Sequence, residues 1–218
     1  MPRGTFDEEL DSLFHSLIRM GGAVESQIND CIISLVEQDE KKALEVIDKD
    51  DIIDDMEADI EEACVKLIAR QQPLAIDLRR IFTSIKIVTD LERIGDYAVD
   101  IARITIRLKD EKYIKPLIDI PRMADIVQKM IKDSLDAYIK LDVKASEEIS
   151  NMDDEIDGSY KQVFRELLVL MLEDPRKITQ ATQFLFVCKF LERIGDHVTN
   201  ICEWTIFLIT GEHRDLND

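Results

Sequence analysis

Among the acidic residues that stand four apart in this chain, four pairs fall in similar strings in the two halves: Asp50 and Asp54, Glu92 and Asp96, Asp153 and Asp157, Glu192 and Asp196. On a helix that spacing places both carboxylates of a pair on one face. The second and fourth pairs lie in the same six letters, LERIGD, at residues 91–96 and 191–196. Ile85 and Val88 precede Glu92, and Leu185 and Cys188 precede Glu192, so each glutamate falls where a further apolar residue is expected. Like charges at this spacing weaken a helix by roughly 0.2–0.5 kcal/mol per pair, and desolvating them costs more unless positive charge intervenes. A metal ion would supply that charge. An oxygen-only donor set suits Mg²⁺, Mn²⁺, Ca²⁺ or iron, whereas a structural zinc site recruits Cys or His. Gly95 and Gly195 sit inside the same strings. Glycine within a helix costs about 1 kcal/mol relative to alanine, which points to close approach by a neighbouring helix or a metal cluster. The alternative is a solvated helix face carrying ion pairs through Arg93 and Arg193.

Six long helices position these acids. Apolar residues at helical spacing follow a capping-box pattern at Thr5 and Glu8, and predict a first helix to about Glu37. Asp39 is expected to cap a second helix, whose stripe runs through Val46, Ile53, Ile60 and Leu67 and stops before Gln71, Gln72 and Pro73. Pro73 suits the first turn of a third helix, with Leu78, Ile81, Phe82, Ile85 and Val88 facing inward. The segment from Tyr113 to Pro121 reads as a boundary, after which the plan repeats. A fourth helix begins near Arg122, Asp142 caps a fifth, Asp174 and Pro175 open a sixth, and Gly211 ends it. Ala43 matches Ala145, and Pro73 matches Pro175, at a shift near one hundred residues. The expected fold is therefore all-α: two tandem, pseudo-symmetric three-helix bundles, residues 1–112 and 113–218, with part of each first helix available for an interface.

Composition narrows the function. Only 7 Gly and 5 Pro punctuate a chain that is 45% hydrophobic and 34% charged, as long helices with few turns require. The net charge of −18 argues against nucleic acid as a partner and favours cations or basic protein surfaces. Cys31, Cys64, Cys188 and Cys202 form no CxxC pair, and no charged-then-apolar leader precedes the first helix, so a cytoplasmic location is expected. The longest strongly apolar stretch, residues 178–188, falls short of the roughly 20 needed to cross a bilayer, so no direct membrane insertion is expected. No Walker loop, nucleophile elbow or HExxH occurs. His197, next to Asp196, reads as a surface or packing histidine, Cys188 as a small buried apolar residue, and Met20-Gly21-Gly22 as a close helix contact.

The strings DDIID (50–54) and DDEID (153–157) and the two ERIGD strings resemble the repeated E/DxxxD motifs of the PhoU family of phosphate-signalling regulators. The resemblance extends to MGGAVE (20–25), EEACVKLIARQQP (61–73) and NICEW (200–204), and so covers nearly the whole chain. It implies a six-helix protein binding divalent or trivalent metal ions, in single or multinuclear sites of Fe, Mn, Mg or Zn. Asp50, Asp54, Glu92 and Asp96 would hold one site, extended a turn by Asp100; Asp153, Asp157, Glu192 and Asp196 would hold the other, where Asn200 answers Asp100. It further implies a non-enzymatic, homodimeric negative regulator of the phosphate-starvation response. Its partners would be the ATPase of an ABC phosphate transporter and the sensor histidine kinase of the phosphate regulon. The alternatives are a carboxylate-bridged metal hydrolase or oxidase, and a helical adaptor that binds no metal specifically.

Overall fold

Side-chain caps set the start of several helices here. The computed structural model describes the backbone of residues 3–71 and 73–216 and the side chains of residues 6–70 and 73–216. Its helices are α1 (Arg3–Glu37), α2 (Glu40–Asp48), α3 (Asp50–Gln71), α4 (Ala75–Leu108), α5 (Asp119–Lys140), α6 (Val143–Ser150), α7 (Asp153–Glu173) and α8 (Ile178–Thr210). Asp39 accepts from the Lys42 amide at the start of α2, and Asp142 accepts from the Ala145 amide at the start of α6. Asp174 caps Arg176, and Pro175 opens a single 3₁₀ turn that leads into α8. Gly211, at φ 81°, closes α8 in the left-handed region.

Several expectations are corrected. α1 is already helical from Arg3, so Thr5 lies in its first turn rather than at its cap, and the Thr5 side chain is outside the described residues. Gln72 is likewise outside them. Pro73 precedes α4, which begins at Ala75 after Leu74. α5 begins at Asp119, three residues before Arg122. Leu78 and Phe82 on α4 are exposed, because the buried face runs instead through Ile81, Ile87, Val88, Leu91, Ile94, Ala98 and Ile101.

The second rod of each half is interrupted. It breaks at Lys49 between α2 and α3, and at Asn151 and Met152 between α6 and α7. The Ile52 amide bonds back to the Lys49 carbonyl and the Glu155 amide to the Met152 carbonyl, tightening each restart. The break places Asp50 and Asp153 in the first turn of a new helix, where the exposed amides and the helix dipole favour negative charge. Like-charged residues that would weaken a helix interior thus become acceptable.

α4 and α8 form the most extensive helix pair, with α1 lying on α4, α5 on α8, and α1 against α5. α2 and α3 cover one side of this central group, and α6 and α7 the other. Among the described residues nearly all the buried apolar side chains belong to one continuous cluster, from Leu10 and Leu17 through Leu91 and Ile101 to Val127, Phe184 and Ile201. The connection between halves is anchored to both: the Tyr113 hydroxyl donates to the Leu35 carbonyl, and the Ile114 amide donates to Gln180 Oε1.

Gly21 lets α1 approach α5. A Cβ there would fall far inside van der Waals contact with Leu135, whereas a Cβ at Gly22 would meet nothing within 4 Å. Gly21→Ala is therefore expected to destabilise, since overpacking costs about 1–3 kcal/mol against a helix-propensity gain of about 1 kcal/mol. Gly22→Ala keeps only that gain. Urea melts of the two variants should shift the midpoint in opposite directions.

Candidate metal centre

Two acidic clusters form where the start of a rod meets the glycine of a long helix. In the first, Asp50 on α3 is coupled to Asp96 on α4, Asp54 is coupled to both Asp50 and Glu92, and Gln27 and Ile53 stand over Gly95. Burial raises the pKa of Asp50, the hydrogen bond from Gln27 opposes that rise, and the charges of Asp54 and Asp96 add to it. Glu92 is pushed up to about 7, first by burial and then by Asp96, with Arg93 working against both. Glu57, one turn beyond Asp54, joins the cluster: burial raises its pKa and a hydrogen bond with Thr89 lowers it. Neither Glu57 nor Gln27 belongs to the acid pairs that recur in both halves, although Gln27 interrupts the apolar series Val24, Ile28, Cys31.

In the second cluster Asp153 on α7 faces Glu192, Gly195 and Asp196 on α8. Asp153 is pushed up to about 7, by burial first and then by the charges of Asp196, Asp157 and Glu192. One of its oxygens, Oδ1, is buried without a hydrogen-bond partner. That same atom lies where a Cβ on residue 195 would stand. Gly195 thus makes room for the carboxylate on the helix.

Basic side chains supply much of the neutralising charge. Arg93 Nη1 lies 3.0 Å from Asp96 and Arg193 Nη1 lies 3.1 Å from Asp196. Lys161 donates to Asp157 at 2.8 Å, and Lys189 donates to Glu192 Oε1 at 2.6 Å. Lys189 is also within 2.5 Å of Glu192 Oε2, but without hydrogen-bond geometry, so that oxygen is held by charge alone. The expected arginine pairs are therefore present, yet Glu92 and Glu192 are only 16% and 13% exposed, so neither belongs to a solvated face. Among the described residues, no three of His, Cys, Asp and Glu stand together in ligand geometry.

The donor set nevertheless fits a hard cation. It is rich in carboxylate oxygen, and Asp153 Oδ1 is buried and unsatisfied. Ion binding would require Asp96, Asp196, Asp157 and Glu192 to exchange basic partners for the metal. Asp54 is exposed but electrostatically coupled to Asp50 and Glu92. Asp100 is drawn off: Arg103 donates to it at 2.9 Å, and it lines a shallow groove with Arg107, Phe186 and Phe190. Cys188 is a free, fully buried thiol whose pKa burial pushes up to about 12, which suits a packing residue rather than a thiolate ligand.

His197 and Asn200 bridge the halves. Asp90 on α4, 8% exposed, accepts from Asn200 at 3.1 Å and lies 2.8 Å from His197 Nδ1 through the same oxygen. The His197 ring also meets that of Tyr97 at 5.8 Å. The position answering Asp100 is thus engaged in structure, and sequence spacing gave no sign of Asp90 as its partner.

The comparisons agree with this duplicated architecture. The PhoU domain matches the chain twice, over residues 17–105 and 120–205. The chain is 53% identical over 219 residues to a phosphate-specific transport system accessory protein PhoU homolog of Clostridium acetobutylicum, with 100% of each covered. It is 40% identical to the homolog of that description from Pseudomonas aeruginosa, over 94% of this chain and 86% of the relative. The crystal structure of PhoU from Pseudomonas aeruginosa superposes with a TM-score of 0.90 at 39% identity, covering 95% of this chain and 100% of that one. The phosphate transport system regulatory protein PhoU from Streptococcus pneumoniae does so at 0.90 and 30% identity, covering 96% and 99%. With one domain found in both halves, acid pairs repeated at equivalent helix positions, and relatives matched almost end to end, the chain belongs to the PhoU family.

Proposed function

We propose that this chain is a non-enzymatic, cytoplasmic accessory protein of a phosphate transport system. It restrains phosphate uptake and the starvation response when phosphate is plentiful, coupling the ATPase of an ABC phosphate transporter to a sensor histidine kinase. The observation that carries this reading is the 53% identity across the full length of both chains to a relative described as such an accessory protein. Among the described residues no helix is long and apolar enough to cross a membrane, so contact with membrane partners would run through their cytoplasmic parts.

Metal binding is the second element of the proposal. Asp50, Asp54, Glu92 and Asp96 would hold a hard divalent or trivalent ion on one half, and Asp153, Asp157, Glu192 and Asp196 on the other. Bound there, the ion supplies positive charge that lets converging carboxylates stay ionised at neutral pH. The unsatisfied Asp153 Oδ1 supports this reading. Two such faces suit docking or homodimerisation, with occupancy altering the charge a partner meets.

Removing the gene should switch on a phosphate-starvation reporter in phosphate-replete cells, and restoring the wild-type chain should silence it. A pull-down from replete cells should recover the transporter ATPase and the kinase. Persistent silence of the reporter in the deletion strain would count against the regulatory reading.

A further inference from the structure

Gln27 is the polar residue on the buried face of α1 that points at the first cluster. It is 5% exposed. Its Nε2 donates to the Val46 carbonyl at 3.4 Å and to Asp50 Oδ1 at 3.2 Å. These partners fix the orientation of the amide: reversing it would set a carbonyl oxygen against two acceptors. Oε1 must therefore face the other way, and it is buried with no hydrogen-bond partner. It lies over Gly95, 3.1 Å from where a Cβ would stand, on the turn of α4 between Glu92 and Asp96. One end of the amide thus holds a carboxylate of the cluster while the other offers it a neutral oxygen.

The second half differs. Non-glycine residues in the left-handed region end the first rod of each half, Gln38 at φ 55° and Leu141 at φ 54°. In the register that pairs those two, and Asp50 with Asp153, Gln27 answers to Met130, which carries a thioether and no oxygen. In the same register Glu57 answers to Tyr160, whose ring lies 5.6 Å from the Lys189 ammonium. At these positions the first half carries an extra carboxylate and an amide oxygen, and the second an aromatic ring and a thioether, with Lys189 paired to Glu192.

We infer that Gln27 is a metal ligand of the first cluster, donating Oε1, and that it makes the two sites unequal, the first being the tighter for a hard divalent cation. The inference rests on the metal reading above. A neutral amide oxygen adds a donor without adding repulsion among carboxylates. A glycine at residue 95 is what lets it reach the helix surface.

The test is calorimetric titration of Mn²⁺ into metal-stripped protein, wild type and Gln27→Met, combined with carbon NMR of glutamine side chains during Mg²⁺ titration. Two binding steps are expected for wild type, the tighter of which weakens at least tenfold in Gln27→Met while the weaker stays in place. The Gln27 Cδ resonance should move on adding Mg²⁺, a readout made on the unsubstituted chain. If affinity falls but that resonance stays still, Gln27 only orients Asp50, and the ligand assignment is overturned. Unchanged binding in Gln27→Met with a still resonance also overturns it, leaving the metal reading intact. Wild type that binds neither cation at either cluster removes the metal reading and this inference together.

Discussion

Asp153→Asn should raise the stability of the metal-free protein at pH 8 by about 1–2 kcal/mol, although it removes a charge from the first turn of a helix. The folded-state pKa of Asp153 stands at about 7, against 3.8 for the ordinary carboxyl. Between those values the native state holds a proton that the unfolded state has lost. The contribution of this group to stability is therefore fully present below about pH 4 and is lost as pH rises through about 7. One pKa unit corresponds to about 1.4 kcal/mol, but solvent at this partly exposed carboxylate screens the penalty, hence the smaller figure. For a chain of this size the gain amounts to about 2–8 °C in Tm. Calorimetry in chelator should show the gain at pH 8 and its disappearance near pH 4. Glu92, also raised to about 7, gives the wild-type protein the same downward slope between pH 4 and pH 7. Excess Mn²⁺ should reverse the ranking, because a metal ion selects the ionised carboxylates and stabilises the state that binds it.

Local chemistry was legible in the letters, and tertiary chemistry was not. Asp39, Asp142 and Gly211 cap the helices that spacing assigned to them, and Asp174 caps the 3₁₀ turn that leads into α8, since a cap needs only its own neighbouring amides or carbonyls. The breaks at Lys49 and Asn151 carry no proline or glycine, and the apolar series Val46, Ile53, Ile60 continues across the first of them, so periodicity read one unbroken helix. The left-handed ends at Gln38 and Leu141 were hidden for the same reason. Gln38 is held there from far along the chain, its amide donating to the Leu108 and Glu111 carbonyls.

At the acidic clusters, spacing found the pairs within each helix because i and i+4 share a face. It gave no sign of Gln27, Glu57 or Asp90, whose roles exist only once helices meet. Gly95 and Gly195 were readable as close approaches, yet what approaches differs: an amide oxygen at one, a carboxylate oxygen at the other. Duplication thus preserved the backbone geometry of the two halves while the contents of the two clusters diverged.

Phe184→Ala is expected to lower the free energy of unfolding by about 3–5 kcal/mol, a Tm loss of about 6–20 °C, and to weaken both halves at once. Phe184 is 1% exposed on α8, and its ring meets Tyr113 of the connecting segment edge-on at 5.2 Å. Tyr113 in turn donates to the Leu35 carbonyl of α1, so the packing of one phenyl ring reaches the end of the opposite half. Two independent bundles would confine the damage to residues beyond the connection. The continuous core and the long α4 and α8 contact predict otherwise. Trp204, the single tryptophan, lies on α8 with its ring edge-on to Phe82 of α4 at 5.8 Å, so its fluorescence reports α8 and its junction with the first half, while far-UV circular dichroism reports all helices together. Coincident transitions by both probes, each moved to lower urea by Phe184→Ala, are the expected result. Loss of part of the helical signal at the wild-type midpoint, with tryptophan alone shifted, would show that the halves fold separately, and that the two clusters are coupled only through whatever docks on them.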